Sequence, residues 1–306
     1  MSNEIGSAPS KPETHKTPAE AAELTAALGE ARRQLASEVK TRRDVIKPLE
    51  QALRALKDPH RNAVALYEAA VALEQPPKEL TVPRGYRTMI EGLRALADAK
   101  LSELEFTFAR DLRAAFDEKG IKLAGPPTEL IADLFVIKPD LRRKQVQMTF
   151  SRQPVTGKVI KLDVDKVVAV YERAHREICE RKADLNELLA ELFEAYQRTL
   201  KLAGKQMGTR ASIVDCYREL ILVRQPVSFR RTPSKQSFVD YPKTHFAYDM
   251  LQLRRQHKLA HEGHRLNLGT ATIDVGSDTT KAMFLATGAT EGAFIKDLYF
   301  TSEKER

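Results

Sequence analysis

Residues 164 to 204 constrain this chain more than any other stretch. Apolar side chains fall at Val167, Tyr171, Ala174, Ile178, Leu185, Leu189, Leu192, Tyr196 and Leu200, separated by three, four and once by seven positions. That spacing lays one apolar face along a helix, close to the heptad of a coiled coil. Asp163 or Asp165 can accept the first free amides, and Gly204 suits the left-handed residue that ends a helix. The seven-residue gap holds Arg181 and Lys182, then Asp184 with Glu187 three positions on, a capping-box spacing. Two arrangements compete: one rod about 60 Å long, or two helices with a turn between them. Either way the stripe needs a protein surface over it. Val167, Tyr171, Ile178, Leu185, Leu189, Leu192 and Tyr196 are the residues expected to dock a partner protein or a second copy.

Upstream, residues 1–16 are polar and read as a disordered tail, and residues 17–120 as a helical bundle. Thr17, Pro18 and Glu20 form a helix start. Leu24, Leu28, Leu35, Val39, Ile46, Leu49, Leu53 and Leu56 carry its stripe, with Pro48 expected to kink or break it near Ile46. A second helix covers 61–74 and a third 85–119, ended by Gly120. Residues 121–163 turn to strand character: Leu130 to Ile137 is a compact apolar run, though 128–133 also suits a short helix. Lys138 to Arg143 reads as a turn, Gln145 to Phe150 alternates, and Gly157 to Leu162 gives a third strand. After the connector, 205–306 holds a helix capped by Ser212, a basic loop over 226–241 and a helix over 242–259. Three strands follow, at 271–275, 281–286 and 293–300.

These two strand-bearing regions read as one unit written twice. Phe108-Ala109-Arg110-Asp111-Leu112 matches Phe246-Ala247-Tyr248-Asp249-Met250; Lys144 to Met148 matches Lys281 to Leu285; Gly157 to Lys161 matches Gly292 to Lys296. The expectation is an α+β, predominantly helical chain: a helical bundle plus two similar helix and three-stranded antiparallel meander units, joined by a long coiled-coil-like connector.

Composition narrows the setting. The 306 residues are 42% hydrophobic, enough for a core, with no apolar run long enough to span a bilayer and no signal-peptide segment at the start. Cys179 and Cys216 lie in apolar surroundings, which fits buried thiols in a reducing cytoplasm.

Chemistry-bearing motifs are sparse. Ile273-Asp274-Val275-Gly276-Ser277-Asp278-Thr279-Thr280-Lys281 resembles the first phosphate-binding hairpin of the actin and sugar-kinase ATPase superfamily, which implies a metal- and phosphate-holding turn. The chain ends about 25 residues later, without that superfamily's second phosphate loop, so an ordinary polar turn explains the stretch as well. The order helix, three antiparallel strands, helix resembles the restriction-endonuclease-like core, which implies a metal held by paired carboxylates. Asp133, Asp140, Asp163, Asp165 and Asp274 are the acids on offer, and no second carboxylate joins them in the strand 146–150. His257, His261 and His264 lack a clustered acid or cysteine except Glu262 and read as a solvated helix end. No catalytic residue, metal or cofactor is assigned.

The basic side chains carry more. Fifty Lys and Arg against 42 Asp and Glu leave a formal charge of +8. Arg142, Arg143 and Lys144 sit at an expected hairpin tip, Arg152 and Lys158 on adjoining turns, and Arg230, Arg231 and Lys235 in the loop with Phe229. A basic hairpin beside a helix suits phosphate contact without strong sequence reading. The expected function is a non-enzymatic subunit or adaptor of an intracellular assembly that touches nucleic acid and no membrane. The alternatives are a metal-dependent nuclease or phosphotransferase with an atypical or degenerate site, and a purely structural coiled-coil adaptor.

Overall fold

A computed structural model describes residues 18–302 apart from Glu79 and Ser277, with side chains from residue 26 onward, Ile273 excepted. The expected tail, the Thr17 cap and the Leu24 side chain lie outside the described residues. About half of the chain is helical and the rest is organised by two antiparallel sheets. Among the described residues no helix is long and apolar enough to cross a membrane. The chain divides into two compact units between Glu103 and Leu104.

The first unit holds α1 (Pro18–Ala55), α2 (Ala63–Leu73) and the start of α3 (Tyr86–Asp117). Its core gathers Val45, Leu73, Tyr86 and Ile90, with Leu49, Leu80, Val82 and Leu93 packed around them. The Tyr86 hydroxyl donates to the Leu73 carbonyl at 3.1 Å, so the buried phenol is satisfied. Of the kink or break expected at Pro48, the break does not occur: α1 runs through it as one helix. Packing against α2, with Val45, Ala52 and Ala55 buried, holds the segment helical despite one lost backbone bond.

The second unit begins inside α3, whose Phe108, Ala109, Leu112 and Phe116 enter a different core. Gly120, at φ 74°, ends the helix as expected. Six strands follow: β1 (Leu123–Ala124), β2 (Leu130–Ala132), β3 (Phe135–Asp140), β4 (Gln145–Phe150), β5 (Gln153–Pro154) and β6 (Ile160–Lys161). They form a sheet of order β1-β2-β3-β4-β5, with β6 also on β4. The hairpin β3–β4 pairs Phe135 with Phe150 through Asp140 with Gln145. Val146, Met148 and Phe150 point inward, as the alternation requires. The apolar run 130–137 is two strands rather than one, bent at Asp133 (φ 51°), and residues 130–132 are strand rather than helix.

Next come α4 (Val164–Ile178) and α5 (Leu185–Leu202), so the connector is two helices. Asp163 accepts the Lys166 amide to start the first, and Asp184 accepts the Asn186 and Glu187 amides to start the second. The docking expectation for this stripe is corrected by its surroundings. Val167, Tyr171, Ile178, Leu185, Leu189, Leu192 and Tyr196 are all buried, in the same core as the strands of both sheets. The covering surface is this chain's own, because the apolar face of α4 and α5 is filled by apolar neighbours from the same core.

The remaining elements are β7 (Ala211–Ser212), α6 (Ile213–Val223), α7 (Val227–Arg231), α8 (Lys243–Arg255), β8 (Ala260–His261), β9 (His264–Thr270), α9 (Ile273–Gly276), β10 (Met283–Ala286) and β11 (Gly292–Ser302). The second sheet has the order β10-β11-β9-β8, with β7 on β11. Two expectations fail here. Residues 273–276 form a short helical turn instead of a strand, closed by the Gly276 amide on the Thr272 carbonyl. The third strand is β9, entered through a tight turn at Glu262 and Gly263, both at positive φ. The helices matched in the proposed repeat share buried Phe, Ala and Leu or Met positions. Their strands correspond in one pairing, since Val146 meets Ile160 as Met283 meets Ile295, and differ beyond it: β4 also pairs with β3 and β5, whereas β10 lies at the end of its sheet.

Candidate nucleic-acid interface

The basic hairpin tip is built by three strands. The β3–β4 turn leaves Arg142, Arg143 and Lys144 exposed, and β6 brings Lys161 opposite Gln145. Asp140 accepts the Arg143 amide at 3.0 Å, tightening the turn, and the Leu162 amide donates to the Lys144 carbonyl at 3.0 Å, tying the tip to the start of α4. Lys144 sits at φ 53°, a conformation that suits glycine or asparagine better than lysine. Arg143, Lys144, Gln145, Val159, Lys161, Leu162 and Asp163 line a shallow, open depression of about 440 Å³. Arg143, Lys144 and Lys161 thus line one depression, with Arg142 beside them in the turn. The nearby Asp140 and Asp163 each accept a backbone amide, and Asp140 also pairs with Arg143 at 3.8 Å and Asp163 with Lys166 at 3.9 Å.

The other basic residues have separate fates. Lys158 is exposed in the loop before β6. Arg152 lies over the rings of Phe284 and Phe294, at 4.2 and 5.0 Å, so its guanidinium packs the two sheets together. Beside it, Ser151 is buried; its hydroxyl donates to the Phe284 carbonyl at 2.7 Å and accepts from the Ala286 amide at 3.2 Å. Both residues of this two-residue turn have positive φ, where Asn-Gly is the usual choice. Their contacts across to β10 explain why Ser and Arg stand there instead. Arg230 donates to the Val223 carbonyl at the end of α6. Arg231 and Lys235 are exposed in the following loop, near the Phe229–Phe238 ring pair with centroids 5.5 Å apart.

The carboxylates named for metal-assisted hydrolysis occupy separate places. Asp133 accepts from the Tyr171 hydroxyl at 2.7 Å, Asp140 closes its turn and Asp163 caps α4. Among the described residues no group of three His, Cys, Asp or Glu side chains is placed to hold a metal ion. In the stretch similar to the ATPase hairpin, Asp278 accepts from the Thr280 amide and hydroxyl and pairs with Lys281. These partners hold its carboxyl well below the usual range, at about 2. Gly276 lies against the Phe294 ring, where a Cβ would approach to 2.9 Å. The turn is therefore packed and internally bonded. His261 and His264 lie beside the Phe193 ring at 5.5 and 5.1 Å, on the β8–β9 hairpin rather than a helix end.

A small pocket of about 340 Å³ is lined by Asp133, Leu134, His175, Cys179, Tyr248 and Arg255. Burial, with Asp133 nearby, pushes the Cys179 thiol up to about 12, and burial does the same to Cys216. Both stay protonated at neutral pH, which suits packing rather than nucleophilic chemistry.

Sequence reasoning missed a buried polar cluster. Asp249 on α8, 1% exposed, receives Arg181 from the break between α4 and α5, and the Tyr241 hydroxyl at 2.6 Å. Arg224 lies over the Tyr241 ring at 4.3 Å and pairs with Glu191 at 3.0 Å. His245 sits near this cluster. Burial lowers its affinity for a proton, Arg181 lowers it further, and Asp249, Asp240 and Glu177 partly oppose. The signal was an acid three positions after Phe246 on an apolar helix face. The cluster ties the α4–α5 break, α5, the end of α6 and the loop holding Tyr241 to α8, and reads as a structural clasp.

Comparison with family models, curated proteins and solved structures finds no match to this chain.

Proposed function

We propose that the protein is a non-enzymatic, cytoplasmic nucleic-acid-contacting module of a larger assembly, binding phosphates through the β3–β4 turn without sequence specificity. The observation that supports this reading is the grouping of exposed Arg143, Lys144 and Lys161 around one depression, with exposed Arg142 beside them in the turn. Of the carboxylates beside it, Asp163 caps α4 and Asp140 holds the turn, with a loose, exposed ion pair to Arg143 at 3.8 Å that a phosphate can displace. Side chains of this kind neutralise phosphates and release counterions, so affinity falls steeply with salt. Arg152 and Arg230 are engaged within the fold and are not part of the contact surface in this reading. Lys158, Arg231 and Lys235 extend it. The protein-docking half of the function moves away from α4 and α5, whose stripe is internal.

Anisotropy titrations with labelled duplex and single-stranded oligonucleotides at several salt concentrations test this. The variant R142Q/R143Q/K144N removes three charges while placing asparagine at the left-handed position. It is expected to reduce the slope of log K against log salt by about 2–3 and to weaken binding at low salt. Equal affinity and slope for both proteins would remove the turn from the interface.

A further inference from the structure

We infer that α1 is a self-association helix that pairs with a second copy of this chain. The seam is read directly from the residues. Leu28, Leu35, Leu49 and Leu56 share one heptad position, and Val39, Ile46 and Leu53 share the position four residues on. Arg42 and Arg32 complete the two series. Leucine at one position with β-branched residues at the other is the pattern that favours two-stranded coiled coils.

The structure leaves this seam open. Leu28, Leu35, Val39, Ile46 and Leu53 are 69, 62, 66, 51 and 67% exposed. No side chain between residues 26 and 44 is buried. The reason is length. At 38 residues α1 spans about 57 Å, whereas its neighbour α2, at 11 residues, spans about 16 Å. Val45, Ala52 and Ala55 of α1 are buried; of the seam residues Leu49 packs against that core, while Leu28, Leu35, Val39, Ile46, Leu53 and Leu56 remain exposed.

An apolar row of this length, interrupted by Arg32 and Arg42, is matched by a partner of equal length and period, and another α1 supplies both. Six exposed seam side chains from each copy, at roughly 70 Å² apiece, contribute about 840 Å², and the flanking side chains carry the contact toward the ~1,000 Å² of a specific interface. Positions flanking the seam carry Glu38, Arg43 and Glu50, so two copies bring both signs to the margins of the contact. The inference uses none of the residues of the basic turn and stands or falls apart from the nucleic-acid reading.

Sedimentation equilibrium of the full chain across a concentration series tests it. Twice the mass of one chain is expected for the wild type. The variant L35E/V39E sets two charges into the seam and is expected to weaken association by roughly a hundredfold or more. The outer-face variant S37E/K40E is expected to leave it unchanged. Both variants alter exposed positions, and circular dichroism checks that each remains folded. A single-chain mass at every concentration would overturn the inference. So would a dimer that L35E/V39E leaves intact, or one that S37E/K40E weakens equally.

Discussion

The stripe of α1 and the stripe of α4 and α5 are nearly the same text with opposite outcomes. Both place leucines and β-branched or aromatic residues at heptad-like spacing. One is covered along its whole length by the chain's own strands and helices, and the other faces solvent. An apolar stripe therefore states that a helix face must be covered, and says nothing about what covers it. The difference lies in the neighbours. α4 and α5 are flanked in sequence by the strands and helices that close over them. α1 is followed by one short helix that reaches only part of it.

Four substitutions sharpen this contrast. Leu192→Ala, inside the covered stripe, is expected to cost about 3–4 kcal/mol in chemical denaturation. Leu35→Ala on α1, measured at concentrations low enough to dissociate copies, is expected to change stability by less than about 0.5 kcal/mol. Equal effects would erase the distinction between the two stripes. Arg181→Met removes the cation that meets Asp249 at the break between α4 and α5 and is expected to cost about 3 kcal/mol. The Tyr241 hydroxyl keeps that figure at the lower end of the range for a broken buried pair. Ser151→Ala strips two backbone groups of β10 of their partner and is expected to cost about 1–2 kcal/mol.

The smallest effect is a pH dependence. The folded state holds the His245 proton less well than the unfolded chain, whose value is near 6.5. The unfolded state then binds more protons, so stability is complete above about pH 6.5 and declines as pH falls below it. His245→Gln should flatten that part of the denaturant-midpoint profile; an unchanged profile would remove His245 as its source.

Much of the fold was legible from local rules. Asp163, Asp184 and Ser212 cap helices, Gly120 and Gly204 end them at positive φ, and the alternation of Val146, Met148 and Phe150 marks β4. The β8–β9 hairpin was also written, in Glu262-Gly263 followed by alternating Leu266 and Leu268. Three histidines read as a helix end concealed it. What sequence could not disclose were contacts between distant segments. Nothing local in Arg152 announces that it packs on Phe284 and Phe294, and nothing in Arg181 announces Asp249, 68 positions later. Of the candidate site, the tip residues Arg142 to Lys144 were readable as a turn, whereas Lys161 joined them only through the β4–β6 pairing.

The hydroxyl of Ser151 has a consequence beyond the stability it contributes. A terminal strand offers carbonyls and amides that any extended chain in the cell can use as a template, and many proteins guard such borders with charge or proline. Here one side chain from the other sheet occupies the Phe284 carbonyl and the Ala286 amide, while the Arg152 guanidinium lies over the adjoining rings. The molecule thus occupies part of this border from within, and a lesion at this single turn would expose those groups to pairing with another chain as well as loosen the contact between the sheets.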